Sequence, residues 1–285
     1  VLLGVEMTQL LSRWMDAGKD DQLIERELEL SPPEPPPENN WRLTITTSDM
    51  ERASTDAPVT VTVFGDQGDS GPIQLESEGK FQRAAIDEFE IHIDEGKVGK
   101  ISKIRIQHSD STAEADMHLS KVELESLDGK TKVEFPPLDR WLSSADDDGD
   151  VVRELPAIWP DDPEPKKVTK YSVEIHTGDE SRAPADSKIY ITLHGENGDS
   201  GKRYLNKNKD DTPKFDKSKV DVFSLEAVDL GPLKKVTLGY DQFDENSGWQ
   251  CTKVVIKESE NAPEQYVGTE DKWLDNESED GLTER

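Results

Sequence analysis

The sequence predicts an all-β protein built from tandem antiparallel β-sandwiches. Three observations lead to this fold class: a long segment of the chain is repeated, apolar and polar residues alternate with a period of two in both copies, and no convincing amphipathic helix interrupts either copy. Only 32% of the residues are apolar. The fold therefore depends on the placement of these residues in regular strands.

The two copies begin at Trp41 and Tyr171. The first contains WRLTITTSD, APVTVTVFG and DQGDSG, and the second contains YSVEIHTGD, SKIYITLHG and ENGDSG in the same order. Further along, Phe81 with IDEFEIHI matches Phe215 with VDVFSLEA, and ISKIRIQH matches LKKVTLGY. Four residue pairs keep an offset of 130: Asp49 and Asp179, Asp56 and Asp186, Gly65 and Gly195, and Gly71 and Gly201. Matches that keep their order over such a length indicate an internal repeat.

Each copy reads as a series of short strands. Branched apolar residues alternate with polar or aromatic ones, and glycine, aspartate and asparagine mark the turns between them. The positions expected to face the core are Val59, Val61, Val63, Ile101, Ile104, Ile106, Val122 and Leu124 in the first copy and Ile189, Ile191 and Leu193 in the second. Several half-buried strands at short spacing predict a sandwich.

Tryptophans mark the boundaries of the repeat. Trp14, Trp141 and Trp273 each open a similar closing segment, in which an Arg-Glu-Leu triplet is expected a fixed distance later. We therefore expect the chain to be part of a longer array. The predicted organisation is a closing segment of a preceding module at 1–30, a proline-rich linker at 31–40, a module at 41–158, a second linker at 159–167 and a module at 168–285.

The charge of the chain limits its partners. Sixty-two acidic residues against 34 basic ones give a net charge of -28, which repels nucleic acid and also repels anionic lipid unless cations intervene. The single cysteine, Cys251, allows no internal disulfide, which fits a reducing compartment. No apolar run approaches the length of a membrane-spanning helix, and the first residues do not resemble a signal peptide.

Motifs for catalysis are missing from the sequence. The five histidines show no metal-binding helical spacing, no Gly-x-Ser-x-Gly elbow is present, and Cys251 has no partner motif nearby. The sequence therefore predicts a protein that is not an enzyme.

The acidic loops have two interpretations. Aspartate and asparagine are common turn formers, but carboxylates grouped in loops also suit calcium, which takes six to eight oxygen ligands. The second module has three such loops: Gly178–Asp179 with Asp186, the stretch from Glu196 to Asp199, and Asp229.

Several segments resemble the PLAT domain family, which is named after polycystin, lipoxygenase and alpha-toxin. They are YSVEIHTGD, HGENGDSG, VDVFSLEAVDLGPLKKVTLGYD and GWQCTKVVI, and a weaker match covers residues 41–156. The resemblance implies a sandwich of two four-stranded sheets and a role in docking to membrane phospholipids or membrane proteins, often with calcium. The resemblance to family members that consist almost entirely of such domains further implies contacts with neighbouring repeats. It also implies a cytoplasmic location beneath the plasma membrane of stereocilia and a role in hearing.

The resemblance also implies a set of calcium ligands, because the three acidic loops meet at one end of the sandwich in calcium-binding members. Carried over to the second module, the ligands are Gly178, Asp179, Asn197, Asp199 and Asp229, with Asp186 and Glu196 as further candidates. The first module departs from the pattern, since Ser48 replaces the first glycine and VDLG is blurred into DEGKVG. Its candidates are Asp49, Asp66, Asp69 and Asp94. Calcium is therefore expected in the second module more than in the first.

Two further features have competing interpretations. The stretch ADDDGD at 145–150 suggests a calcium loop, but it lacks the EF-hand glutamate and flanking helices, so a solvated turn is predicted. Trp249 could insert into a membrane, but packing against the edge of the sandwich is the prediction. Two functions stay open at this point: calcium-assisted docking at a membrane, and a calcium-independent spacer or scaffold that links membrane proteins to the cytoskeleton.

Overall fold

The computed structural model describes residues 39–109, 115–162, 164–184, 187–241, 248–259, 262, 266–268, 272–275 and 282–285. The expected closing segment at 1–30, most of the linker at 31–40 and the candidate ligand Asp186 lie outside these residues. In the described ranges no helix is both long enough and apolar enough to cross a membrane.

The first module is an antiparallel sandwich. Its elements are β1 (Asn40–Thr47), β2 (Val59–Gly65), β3 (Ile73–Gln74), β4 (Ile86–His92), α1 (Glu95–Val98), β5 (Ile101–His108), β6 (Met117–Ser126), β7 (Lys132–Glu134), β8 (Arg140–Leu142) and β9 (Val152–Pro156). One sheet has the order β4-β1-β6-β7, with β8 also on β6, and the other has the order β3-β2-β5-β9. Strands β7 and β8 pair with different parts of β6. Each sheet thus has four strand positions, as predicted.

The second module repeats this plan. Its strands are β10 (Val168–Thr177), β11 (Ile189–Gly195), β12 (Gly198–Asp199), β13 (Arg203–Tyr204), β14 (Val220–Val228), β15 (Leu233–Tyr240), β16 (Trp249–Lys257), β17 (Tyr266–Gly268) and β18 (Lys272–Leu274). The sheets have the orders β14-β10-β16-β17, with β18 also on β16, and β12-β11-β13, with β15 on the other side of β11. Beyond β15, Leu238 and Arg285 exchange backbone hydrogen bonds of 2.7 and 2.9 Å, where β9 lies in the first module. The predicted fold class is confirmed.

The alternation of side chains produces the cores. In β2 the apolar residues Val59, Val61 and Val63 are fully buried and the threonines between them face outward. The two modules have separate hydrophobic cores, one between the sheets of each sandwich. Both sandwiches nevertheless belong to one compact unit, Asn39–Arg285.

A tight turn before the fourth strand position shows how closely the modules correspond. Phe81 and Phe215 have φ angles of 53° and 65°, in the left-handed region that bulky residues rarely adopt. Each donates its backbone N–H to a buried aspartate, Asp87 at 2.7 Å and Asp221 at 2.8 Å. The same unusual turn with the same hydrogen bond confirms that these two positions are equivalent.

Candidate functional site

The acidic loops of the second module do not all meet. Strands β10 and β14 are antiparallel, with Val168 opposite Val228 and His176 opposite Val220. The Gly178–Asp179 loop follows the end of β10, and Asp229 follows the end of β14, so the two loops lie at opposite ends of the pair. At about 3.4 Å per residue this separates them by roughly 30 Å, far beyond the reach of one ion. The expectation that the three loops meet at one end is wrong for this chain.

The first module has the same geometry. Thr46 pairs with Ile86 and Asn40 pairs with His92 along β1 and β4. Asp49 therefore lies just beyond one end of this strand pair, and Asp94 lies just beyond the other. One calcium ion cannot use both carboxylates.

Two of the three loops of the second module do come together. Asn197 donates from Nδ2 to Asp229 Oδ2 at 3.2 Å, and its backbone N–H donates to Leu230 O at 2.9 Å. The second oxygen of Asp229, Oδ1, accepts from the N–H of Gly231 at 3.1 Å, and Glu196 is exposed beside them. The side chains of Asn197 and Asp229 thus stabilise the two turns against each other.

Three of the remaining candidates form turns or caps. Asp69 and Asp199 accept from the backbone N–H groups of Gly71 and Gly201, both at 2.7 Å. Asp94 caps α1 by accepting from two of its N–H groups, at 3.0 and 3.2 Å. These bonds are the turn-forming role that competes with metal binding.

The other candidates are engaged locally or face solvent. Asp66 Oδ1 accepts from the N–H of Lys100 at 2.9 Å, and Asp49 Oδ1 accepts from Arg83 Nε at 2.6 Å. The carbonyl of Gly178 accepts from the N–H of Ser218 at 3.3 Å, and Asp179 is exposed. Within the part of the chain that the structure describes, no three His, Cys, Asp or Glu side chains are grouped as a metal site requires. The described candidates therefore do not form the single calcium site that the resemblance implies.

Basic side chains of the first module contact Asp199 instead. Arg105 on β5 donates from Nη2 to the backbone oxygen of Asp199 at 2.8 Å and to Oδ1 at 3.2 Å. The ammonium group of Lys103 lies 3.4 Å from the same backbone oxygen. Burial alone raises the pKa of Asp199, but the charge of Arg105 and the N–H of Gly201 outweigh it, so that the pKa lies below its ordinary value. The carboxylate is thus charged and paired across the junction.

Glu154 on β9 is the centre of this junction, and its side chain has no exposed area. Its carboxylate accepts from Lys103 Nζ at 2.9 and 3.0 Å and from Arg105 Nε at 2.8 Å. It also accepts from the backbone N–H of Val228, in the second module, at 2.9 Å. Burial would raise the pKa of Glu154, but Lys103, Arg105 and Arg203 outweigh it and lower that pKa. A buried anion therefore connects the two sandwiches.

Arg203 makes the reciprocal contact from the second module. The residue is 1% exposed and donates from Nη1 to Asp150 Oδ2 at 2.7 Å and to Val152 O at 2.8 Å. Its Nε donates to Ser200 O at 2.8 Å. At the rim, Arg140 makes two bonds to Glu226, at 3.1 and 3.0 Å. Each module thus supplies both cations and anions to the junction.

The ADDDGD stretch is part of this junction, which corrects its interpretation as a solvated turn. Asp148 is bound by Arg153 at 2.6 and 3.0 Å, and Asp150 is buried against Arg203. Burial opposes the charge of Asp148, but Arg153 and Arg140 outweigh it and lower the pKa of this carboxyl. Gly149 and Asp150, at the end of the stretch, are buried, and Asp150 contacts Arg203 of the second module. No local pattern in the sequence shows that contact.

Sequence reasoning missed the junction residues Lys103, Arg105, Glu154 and Arg203. On a half-buried strand such charged residues look like an ordinary solvated face. One signal was available, since the Arg-Glu-Leu triplet recurs at Arg26 and Arg153 at the same distance from Trp14 and Trp141. The triplet served as a marker of the repeat period, and its glutamate was not recognised as a contact residue.

Trp249 lies inside the second sandwich and is fully buried. Its ring packs edge-on against Phe215, with centroids 5.7 Å apart, and its Nε1 donates to Thr177 Oγ1 at 3.2 Å. The prediction that it packs is confirmed, although it packs in the core and not at an edge.

The comparison with protein families agrees with this architecture. The model of the family described as PLAT/LH2 domain matches residues 41–154 and 171–285. Human lipoxygenase homology domain-containing protein 1 is 30% identical over 98% of this chain, and the mouse protein of the same name is 32% identical over 99%. The chain spans 14% and 15% of their lengths. Among solved structures, a coral 8R-lipoxygenase aligns with a TM-score of 0.35 at 20% identity, covering 42% of this chain and 17% of that one.

Proposed function

We propose that this chain, which belongs to the PLAT/LH2 domain family, is a non-catalytic segment whose two modules act together as a rigid spacer or scaffold. In this role it holds membrane proteins at a fixed distance from the cytoskeleton or from one another. The observation that carries the proposal is the buried ionic junction around Glu154 and Arg203.

The junction favours one arrangement of the two sandwiches. Undocking would break the bond from Val228 to Glu154 and the bonds from Arg203 to Asp150 and Val152. Hydrogen bonds to charged groups contribute about 1.5–3 kcal/mol each. Several such bonds, placed on both modules, oppose the relative motion that is otherwise expected between domains.

The second linker adds to this rigidity. Trp159 donates from Nε1 to Ile101 O at 2.8 Å, and Lys100 Nζ lies 5.3 Å from the centre of its ring. The chain between the modules is therefore bound to the first sandwich instead of being free to extend. Such a connection limits the freedom of the second module further.

A structural role also agrees with the state of the one cysteine. Cys251 is buried within β16, and burial raises the pKa of its thiol to about 12. A thiol that stays protonated is a poor nucleophile.

The expected location extends the proposal. We place the chain in the cytoplasm at the inner face of the plasma membrane, in stereocilia, with a role in hearing and with membrane proteins, phospholipids and neighbouring repeats as partners. The support for this extension is the resemblance to arrays made of such domains and the similarity to the human and mouse proteins over nearly the whole chain.

Rigidity is testable by electron-electron distance measurements between spin labels at Glu90→Cys and Lys217→Cys, two exposed positions on different modules. We expect a narrow distance distribution, because the junction fixes one arrangement. Replacing Arg140 and Arg203 with alanine should broaden it, whereas Arg83→Ala, which removes an exposed arginine, should not. A broad distribution in the unaltered labelled protein would contradict the spacer.

Calcium-assisted docking is less well supported by the geometry, because Gly178–Asp179 and Asp229 are far apart and Asp199 contacts Arg105. We expect co-sedimentation with phosphatidylserine vesicles to be the same with and without about 1 mM calcium, a level at which even weak protein sites fill. Asp229→Asn serves as the matched variant. Binding that rises with calcium and disappears in Asp229→Asn would favour docking over spacing.

A further inference from the structure

The loop at Glu196–Asp199 has the composition of a calcium loop, yet two cations from the preceding module lie against it. We infer that Arg105, with Lys103 beside it, takes the place of a metal ion at this loop, which therefore recognises a basic side chain. The inference rests on the proposed function, since it requires the two modules to be docked.

The guanidinium of Arg105 is held in place before it reaches the loop. Its Cζ lies 4.6 Å from the centre of the Phe64 ring, and its Nε donates to Glu154 at 2.8 Å. Stacking on an aromatic ring and a bond to a carboxylate are the two interactions that suit the planar guanidinium best. Its Nη2 then reaches Asp199, in the second module.

The loop is shaped to receive this group. Gly201 has a φ of +66°, and a Cβ added there would lie 2.6 Å from Arg105 Nη1. A glycine is therefore required for the close approach as well as for the backbone conformation. At the equivalent Gly71, with a φ of +71°, nothing described lies within 4 Å of an added Cβ. Among the residues described, a basic side chain thus contacts the turn at Gly201 but not the matching turn at Gly71.

The same oxygens cannot serve both cations. The backbone oxygen and Oδ1 of Asp199 accept from Arg105 at 2.8 and 3.2 Å, and these are the oxygen types that calcium would take. A divalent ion there would also face the positive charges of Arg105 and Lys103 at short range. Arg105 therefore excludes a metal from Asp199 while the modules stay docked.

The arrangement is specific to this junction. On β15 of the second module, Lys235 and Thr237 stand at the positions that Lys103 and Arg105 hold on β5. Thr237 carries no charge and lies 3.0 Å from His194 Nε2. The guanidinium is thus not a general feature of the repeat.

Calorimetric titration of calcium into the intact chain tests the inference. The unaltered protein should give no calcium heat that depends on Asp199, as judged by comparison with Asp199→Asn. Arg105→Gln should gain calcium binding that depends on Asp199. Its calcium affinity should be at least about tenfold higher than that of the unaltered protein, a change that calorimetry resolves easily. The gain should disappear in the double variant with Asp199→Asn. Asp69→Asn identifies any heat that arises at the matching turn of the first module.

Two further variants keep the test decisive. Arg105→Lys retains the positive charge and should bind calcium no better than the unaltered protein. Gly201→Ala removes no charge but displaces the guanidinium, so it should gain calcium binding even if Arg105→Gln does not fold. Asp199-dependent binding in the unaltered protein, or no gain in a folded Arg105→Gln or Gly201→Ala, would overturn the inference. If the inference is overturned, the spin-label distance is then measured in the protein that gave the contradicting result. A narrow distance distribution there would show that the spacer survives, whereas a broad one would show that the docked arrangement itself has failed.

Discussion

Replacing Glu154 with alanine is expected to lower the free energy of unfolding by about 3–5 kcal/mol, the usual cost of removing one partner from a buried ionic cluster. The substitution leaves Lys103 and Arg105 without their main counter-ion and the N–H of Val228 without its acceptor. Lys103 is particularly sensitive, because burial already lowers the pKa of its ammonium group and Glu154 acts against this effect. The loss of stability should affect both modules, since the carboxylate contacts both.

Urea unfolding followed by tryptophan fluorescence and circular dichroism measures the effect of Glu154→Ala. We expect the unaltered protein to unfold with coincident transitions and the variant to lose that coincidence as the sandwiches uncouple. The matched control is Glu134→Ala on β7, whose side chain is 64% exposed and pairs with Lys132 at 3.6 Å. Such surface pairs contribute about 0–1 kcal/mol. Equal losses for Glu154→Ala and Glu134→Ala would mean that the junction is not a stabilising contact.

The fold could be predicted because its main signal is local. The alternation of Val59, Val61 and Val63 with threonines requires only neighbouring residues to be read, and all three valines are fully buried. The repeat provided a second, independent check, because Phe81 and Phe215 were matched by sequence and adopt the same turn. Burial of alternate residues and the repeat follow from composition and spacing, so no knowledge of the pairing between strands was needed.

The candidate site depended on information that a single sequence does not contain. Whether Asp179 and Asp229 meet is decided by the antiparallel register of β10 and β14, and the acidic loops alone do not specify that register. Asp150 is buried where Arg203 of the second module contacts it. Contacts between modules leave no periodicity in either strand, so their one trace was the recurring Arg-Glu-Leu triplet.

Replacing Trp249 with alanine is expected to destabilise the second module by about 3–5 kcal/mol, the typical cost of deleting a buried large aromatic side chain. The ring is fully buried, contacts Phe215 and is bonded to Thr177, so its removal leaves a cavity and an unpaired hydroxyl. The equivalent position in the first module holds Met117, which is also fully buried. Trp249→Met should therefore cost less than Trp249→Ala, because a flexible side chain fills part of the space.

Thermal unfolding followed by circular dichroism separates this packing role from membrane insertion. The control is Trp159→Ala, since Trp159 is only partly buried in the linker, and its loss should lower the unfolding temperature less. A residue that inserts into a membrane would behave in the opposite way, with Trp249→Ala leaving the unfolding temperature unchanged and reducing co-sedimentation with vesicles. We expect a lower unfolding temperature for Trp249→Ala and no change in vesicle binding at temperatures where the variant is folded, because a side chain in the core cannot reach a lipid surface without unfolding its module.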